Sequence, residues 1–248
     1  MLSKYEAVSY ELLRPEQVKL LRERRPVAYL PAGSLEWHSF QNPLGTDALK
    51  AHAICCEAAL AHGGIVLPPI YTGLVGTWGP KGWEGYTAGL RDEEAKMIED
   101  VVWAMVRSLI VGGWKVFAGV TGHDWPPQRD AIRRAIARAT EGKDAAGFSM
   151  MECEGHKSDS EIPFGGDHAA AWETSCMLYA CPGKADLDAL RGRKLSSDEN
   201  FEMSGPEGIG GKNPLKYASS QMGRKIVEKR GDIIGRKALD MLEGLGKK

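Results

Sequence analysis

Short apolar runs alternate with longer helical patterns along the chain, and this alternation constrains the fold more than any other feature. Runs bounded by glycine or proline predict strands at 26–33, 65–70, 115–122 and 147–152. The intervening patterns predict helices within 46–64, 92–113 and 126–142. Strands that alternate with helices of this length favour a mainly parallel sheet with helices on both faces. We therefore expect a three-layer α/β/α fold, with residues 1–248 in a single domain.

The helix predicted at 92–113 has a clear periodicity. Its apolar residues recur at helical spacing as Met97, Val101, Met105 and Leu109, and acidic residues fill its first turn. This stripe predicts the face by which the helix packs on the sheet.

The balance of charges excludes a general attraction to polyanions. With 32 basic and 33 acidic residues and a net charge of −1, the chain predicts a small-molecule partner and no nucleic-acid partner. No run approaches the roughly 20 apolar residues of a membrane span, and the first residues lack the apolar segment of a signal peptide. The five cysteines, an odd number, predict reduced thiols. These features predict a cytoplasmic protein that does not act at a membrane.

Three side chains of the types that bind metals cluster in GSLEWHSFQNPLGTD, residues 33–47. Glu36 and His38 follow the end of the first strand, and Asp47 begins the next helix, so all three belong at the carboxyl edge of the sheet. Isolated charges are expensive to desolvate, and a divalent metal ion would stabilise all three together. Helix caps and surface ion pairs are the alternative interpretation.

Two further stretches add candidates of the same types. His123 directly follows the glycine that ends the third strand, so it belongs at the same edge. In GGDHAAAWETSCMLYA, residues 165–180, Asp167 and His168 precede a helical pattern and Glu173 lies within it. Because the surrounding residues are small and apolar, Glu173 is either buried with a partner or a metal, or it faces solvent.

These motifs together resemble the creatininase family of metal-dependent amidohydrolases. The stretches GSLEWH, PLGTD, TGH and DHAAAWETS are similar to that family's motifs in order and spacing, and the resemblance covers roughly residues 10–235. It implies an α/β fold and one or two divalent ions per chain, of zinc, manganese or iron. It also implies that the chain assembles with copies of itself, commonly as a homohexamer.

The resemblance further implies roles for individual residues. The positions that match metal ligands are Glu36, His38, Asp47, His123 and Glu173, with Asp47 as the bridge between two ions. His168 matches a histidine that handles protons beside the metals, and Asp167 is expected to orient it. The implied activity is the attack of a metal-activated water on the carbonyl group of a small cyclic amide.

The chain also departs from the family's pattern. The residues after His38 differ from those of many relatives, and Trp125 occupies the position of an acidic metal ligand of creatininase itself. Both differences argue against creatinine as the substrate. Trp78, Trp83 and Trp125 predict either an aromatic pocket or ordinary packing, and the segment 71–89 predicts a binding loop or lid.

Two other functions stay open from the sequence. Some relatives resemble enzymes that hydrolyse a carbon–carbon bond of a cyclic polyol diketone, and the same metal centre suits that reaction. Alternatively, the chain is a catalytically silent relative that binds a metal and a metabolite, although a sensor needs no proton-transferring histidine. A serine or cysteine nucleophile is disfavoured because no G-x-S-x-G motif occurs, and the glycines match no phosphate-binding loop.

Overall fold

The computed structural model describes residues 1–75 and 78–246, so residues 76 and 77 of the predicted loop at 71–89 lie outside the described residues. In chain order the elements are α1 (Pro15–Arg24), β1 (Val27–Ala32), α2 (Thr46–His62), β2 (Ile65–Val66), α3 (Ala95–Val111), β3 (Val116–Thr121), α4 (Pro126–Thr140), β4 (Ala146–Met151), α5 (Ala171–Ala180), β5 (Asn200–Phe201), β6 (Gly211–Lys212), α6 (Pro214–Tyr217) and α7 (Ser220–Leu245). Within the described ranges, no helix has the combination of length and apolar character that crossing a membrane requires.

The four predicted strands form one parallel sheet in the order β2-β1-β3-β4. β1 and β3 are paired along their full lengths, from Val27 opposite Val116 to Ala32 opposite Thr121. β2 is shorter than the predicted run at 65–70, because the consecutive prolines at 68–69 cannot donate to a strand ladder. The predicted α/β fold class with a mainly parallel sheet is confirmed.

Helices cover both faces of the sheet. Successive side chains of a strand point to opposite faces, and those of β1 and β3 are mostly apolar and are buried on both. Tyr29 and Ala118 lie on one face in a buried cluster with residues of α2, α5 and α7. Leu30 and Phe117 lie on the other face, in a cluster with residues of α3 and α4. Because each central strand contributes to two cores, its sequence is continuously apolar rather than alternating.

α3 packs by a different face from the predicted one. Its buried residues are Ile98, Val102, Val106 and Leu109. By contrast, Met97 and Val101 of the predicted stripe are 56% and 53% exposed. The prediction was wrong for Met97 and Val101, whereas Leu109 is buried and Met105 packs against the same core. Because α3 is apolar around most of its circumference, the periodicity alone fits more than one stripe. As a result, α3 presents an apolar face to solvent.

The carboxyl ends of β1 and β3 open onto the same edge of the sheet. Glu36 and His38 follow β1, His123 follows β3, and α2 brings Asp47 to the same place. α5 contacts α2, and both helices pack on α7. The candidate site therefore lies where parallel strands end, which is the usual position of sites in such folds.

Candidate metal centre

Two glycines allow the first turn of α2 to lie directly against the strand ends. A Cβ on Gly33, after β1, would lie 2.2 Å from the backbone nitrogen of Ala48. A Cβ on Gly122, after β3, would lie 2.1 Å from the carbonyl oxygen of Asp47. Any side chain at either position would clash with the backbone of α2, so glycine is needed for this close approach. The carboxylate of Asp47 is thereby held between the two strands.

Six side chains converge here in three overlapping groups, in each of which the ligand atoms lie within 4.8 Å of one another. The groups are Glu36, Asp47 and His123; His38, Asp47 and Glu173; and Glu36, His38 and His168. In the first group His123 Nδ1 lies 3.0 Å from Glu36 Oε1 and 3.2 Å from Asp47 Oδ2. In the second, His38 Nε2 lies 3.1 Å from Asp47 Oδ1 and 3.3 Å from Glu173 Oε2. The structure thus brings together all five residues expected as ligands, with His168 beside them.

Each histidine of the cluster is oriented by a backbone carbonyl oxygen, at 2.9 to 3.1 Å from one ring nitrogen. The pairs are His38 Nδ1 with Glu36, His123 Nε2 with Leu74, and His168 Nε2 with Trp37. Because a carbonyl oxygen only accepts hydrogen bonds, each of these nitrogens carries the hydrogen. The other nitrogen of each ring therefore faces the carboxylates, which is the arrangement of histidines that bind metals.

The carboxylates of the cluster create a field that favours cations. Burial lowers the pKa of His123, but Asp47 and Glu36 outweigh it and raise this pKa to about 10. Burial also acts to lower the pKa of His38, and Asp47 and Glu173 raise it well above its usual value. A metal ion and a proton compete for the same imidazole nitrogen. His38 and His123 can therefore each bind either a proton or a metal ion at the ring nitrogen that faces the carboxylates.

His168 and Asp167 have different partners although they are neighbours in sequence. Burial and a nearby imidazole lower the pKa of His168, so its second ring nitrogen is unprotonated near neutral pH. The carboxylate of Asp167 accepts the backbone N–H groups of Trp172 at 2.7 Å and Glu173 at 3.2 Å, at the start of α5. The expectation that Asp167 orients His168 is corrected accordingly. The Trp37 carbonyl holds the imidazole, and Asp167 stabilises the helix turn that carries Glu173.

A buried lysine, which the sequence reasoning missed, supports Glu173 from behind. Lys50 is 2% exposed, and its Nζ lies 2.5 Å from Glu173 Oε1 and 3.0 Å from Glu152 Oε1. The other carboxylate oxygen of Glu173 accepts the N–H of Ala169 at 2.6 Å and faces His38. Lys50 thus fixes which oxygen turns toward the cluster. The available signal was a second charged residue three positions after Asp47, among the mostly small and apolar residues of α2.

A cavity of about 540 Å³ opens beside Glu36 and His123. Its remaining wall is formed by Leu74, Val75, Trp78, Arg91, Asp92, Glu93, Trp125 and Met203. Trp78 and Trp125 therefore line the cavity, whereas Trp83 packs among other aromatic side chains. The cavity gives a small molecule access to one side of the cluster, and the second ligand group lies deeper in the protein.

Comparison with protein families provides independent support for these motifs. The family model described as "Creatininase: Creatinine amidohydrolase" matches residues 11–236. The chain belongs to the creatininase family. This match confirms the family predicted from the motifs. Members of the creatininase family are amidohydrolases. No curated protein is similar enough to the chain to match it.

Solved creatininases share this fold. A crystal structure of creatinine amidohydrolase (creatininase) is 21% identical to the chain, with a TM-score of 0.73 over 93% of this chain and 98% of that one. A mutant creatininase described as "Zn-Zn type" and a structure described as "Creatininase Mn" are each 21% identical, with TM-scores of 0.72. They cover 92% and 93% of this chain, and 96% of each of those chains is aligned. Zinc and manganese forms thus occur among proteins that share the fold of this chain.

Proposed function

We propose that this member of the creatininase family is a metal-dependent hydrolase that opens a small cyclic amide, or a related carbonyl substrate, with an activated water. The orientation of the three histidines is the observation that carries this proposal. Each donates one ring N–H to a backbone carbonyl and turns its other nitrogen toward the carboxylate cluster. Histidines in surface ion pairs do not need a fixed ring orientation, whereas histidines that bind a metal do.

Two ligand sets that share Asp47 would hold one or two divalent ions, of zinc, manganese or iron. Glu36 and His123 would complete the set beside the cavity, and His38 and Glu173 would complete the buried set. The donor atoms fit, because imidazole nitrogen and carboxylate oxygen are usual ligands of these metals. When bound, such an ion acts as a Lewis acid that activates water and polarises a carbonyl group.

We assign the proton transfer of this reaction to His168. Its Nε2–H is bonded to the Trp37 carbonyl, so Nδ1 is the atom that can accept a proton and pass it to the leaving nitrogen. The lowered pKa of His168 keeps Nδ1 unprotonated near neutral pH. Trp78 lies edge-on to the imidazole, with 5.6 Å between ring centroids, and covers one side of it.

The cavity supports a substrate of metabolite size. Its volume of about 540 Å³ lies in the range of small-molecule sites. Trp78, Trp125 and Met203 offer apolar surface to a ring, and the carbonyl group of that ring would face Glu36 and His123. Because Trp125 stands where creatininase itself has an acidic ligand, we propose a cyclic amide other than creatinine.

Metal content tests the proposed centre. Elemental analysis should find one or two divalent ions per wild-type chain. Asp47→Asn keeps the shape of the shared ligand and removes its charge, so this variant should lose most of the bound metal. Asp144→Asn is the matched control, because Asp144 is exposed and paired with Lys115 at the surface. Wild-type protein that takes up no zinc, manganese or iron would contradict the proposal.

The role of His168 needs a separate variant. A panel of lactams and cyclic ureas would first identify a cyclic amide that the wild type hydrolyses. His168→Asn should reduce turnover of that substrate by about 10²- to 10⁴-fold. Its metal content should equal that of the wild type. Equal losses of metal and turnover would instead make His168 a ligand in the group with Glu36 and His38, and would contradict the assignment.

A further inference from the structure

Trp37 lies between two of the expected metal ligands in the sequence but packs elsewhere. Glu36 and His38, on either side of it, belong to the metal-ligand groups. Trp37 is 4% exposed, and its indole packs among aromatic rings, with 4.9 to 5.9 Å between the centroids of neighbouring rings. This set, here called the aromatic cluster, consists of Trp37, Phe40, Trp83 and Tyr86. The aromatic cluster therefore anchors the backbone that carries two of the ligands.

Trp37 also fixes the imidazole to which we assign proton transfer. Its carbonyl oxygen accepts the Nε2–H of His168 at 2.9 Å, and its indole N–H donates to the carbonyl of Glu207 at 3.0 Å. The backbone of His168 is paired in both directions with that of Gly210, at 2.8 and 3.0 Å. One short segment, 207–210, thus supports both partners of the hydrogen bond to the imidazole. The direction of the Trp37 carbonyl then decides where Nδ1 of His168 points.

Trp83 reaches Trp37 from a different part of the chain, the segment 78–89. Its ring lies 4.9 Å from that of Trp37, centroid to centroid, at an interplanar angle of 34°. The segment is attached to the strand end by the Ala88 N–H, which donates to the Leu35 carbonyl at 2.7 Å. Trp83 is therefore held against the indole rather than exposed on a free loop.

Two tryptophans of this segment have different neighbours. Trp78 lies in the cavity wall and edge-on to His168. Trp83 packs on the Trp37 indole in the aromatic cluster. Loss of the Trp83 ring would therefore leave the cavity wall in place while removing one support of Trp37.

We propose that Trp83 is a positioning residue for the proton transfer assigned to His168. Its ring supports the Trp37 indole, and the Trp37 carbonyl holds the imidazole with Nδ1 3.9 Å from Glu36 Oε1. Such support matters because a displacement of about 1 Å can cost about 10²-fold in rate. For turnover the proposal rests on the proposed function. For the orientation of His168 it rests on the geometry alone.

Exchange of the Nε2 hydrogen of His168 with water tests the orientation without a substrate. The chain has six histidines, so NMR of chelated protein with ¹⁵N-labelled histidine separates the ring hydrogens, and His168→Asn identifies the one of interest. Trp83→Ala should speed its exchange about three- to ten-fold, because the loss of one aromatic contact lets the Trp37 carbonyl release this hydrogen more often. An exchange rate equal to that of the wild type would overturn the proposal.

Two further variants separate this effect from a general loss of stability. Trp83→Phe keeps an aromatic ring at this position and should retain most of the protection. Trp103→Ala removes a tryptophan of α3 that packs against the guanidinium groups of Arg107 and Arg138, at 4.7 and 4.6 Å from the ring centroid. It should leave the exchange of the His168 hydrogen unchanged. Equally fast exchange in Trp103→Ala and Trp83→Ala would mean general destabilisation and would overturn the proposal.

Steady-state kinetics tests the consequence for turnover, with a substrate that the wild type hydrolyses. Trp83→Ala should lower kcat about ten-fold, with KM within about two-fold of the wild-type value and the same metal content. Trp83→Phe should recover most of kcat. A raised KM with unchanged kcat would overturn the proposal. Failure of the proposed function is seen separately, as a wild type that binds no metal or hydrolyses no substrate, and the exchange experiment decides the orientation of His168 in either case.

Discussion

Replacement of Lys50 by methionine should destabilise the metal-free protein by about 3–5 kcal/mol. Lys50 is 2% exposed and lies within 3.0 Å of both Glu152 and Glu173. Removing one member of a buried ionic group costs about this much, because the remaining charges lose their counter-ion. Methionine is of similar length, so the loss comes from charge rather than from a cavity. In a chain of this size the change corresponds to a fall of about 6–20 °C in Tm.

Urea unfolding of chelated and zinc-loaded protein separates two contributions to this effect. A cation bound beside Glu173 would replace part of the missing charge, so the loss in Lys50→Met should be smaller in the loaded protein. Lys115→Met is the control, because the Lys115–Asp144 pair is exposed and such pairs contribute less than about 1 kcal/mol. Adding Glu152→Gln to Lys50→Met should recover part of the loss, because one of the two uncompensated charges is removed.

Two results would refute this reasoning. A loss below about 1 kcal/mol in the chelated Lys50→Met protein would mean that the two glutamates do not depend on the lysine for their charge balance. Equal losses with and without zinc would mean that the metal does not bind beside Glu173.

Three further predictions follow from single features of the structure. Gly122→Ala should weaken zinc binding at least about ten-fold, because the added Cβ would lie 2.1 Å from the carbonyl oxygen of Asp47 and displace this residue. Gly165→Ala is the control and should bind zinc normally, because nothing lies within 4 Å of its added Cβ. Calorimetric titration compares the two variants, and equal affinities for zinc would contradict the prediction. Burial lowers the pKa of His52 to about 4, so the unfolded chain binds the extra proton below pH 6.5 and stability declines as the pH falls from 6.5 to 4. His52→Gln should remove about 2 kcal/mol of that decline at pH 5 in urea unfolding, and an unchanged pH dependence would count against it. Trp78→Ala should raise KM more than it lowers kcat in steady-state kinetics, because Trp78 lines the cavity; an effect on kcat alone would disagree.

The sheet could be predicted from the sequence because strands buried on both faces are continuous apolar runs that end at glycine or proline. The parallel sheet then implies that residues after β1 and β3 share one edge, which is why Glu36 and His123 could be expected together. The packing face of α3 could not be predicted fully, since a helix that is apolar around most of its circumference fits more than one stripe. The difference between Met97 and Ile98 is decided by α4 and the sheet, on which α3 packs.

From the sequence by itself, the order of strands, turns and helices placed Glu36, His38, Asp47 and His123 at one edge of the sheet, and the resemblance to the family's motifs added Glu173 and His168. The tertiary structure alone decided how these residues are used. The carbonyl that orients His168 belongs to Trp37, 131 positions away, and the lysine that fixes Glu173 is 123 positions away. Which nitrogen of a histidine is free, and which oxygen of a glutamate faces the cluster, depends on such distant contacts. No local pattern specifies them, because the partners meet only when the layers of the fold pack together.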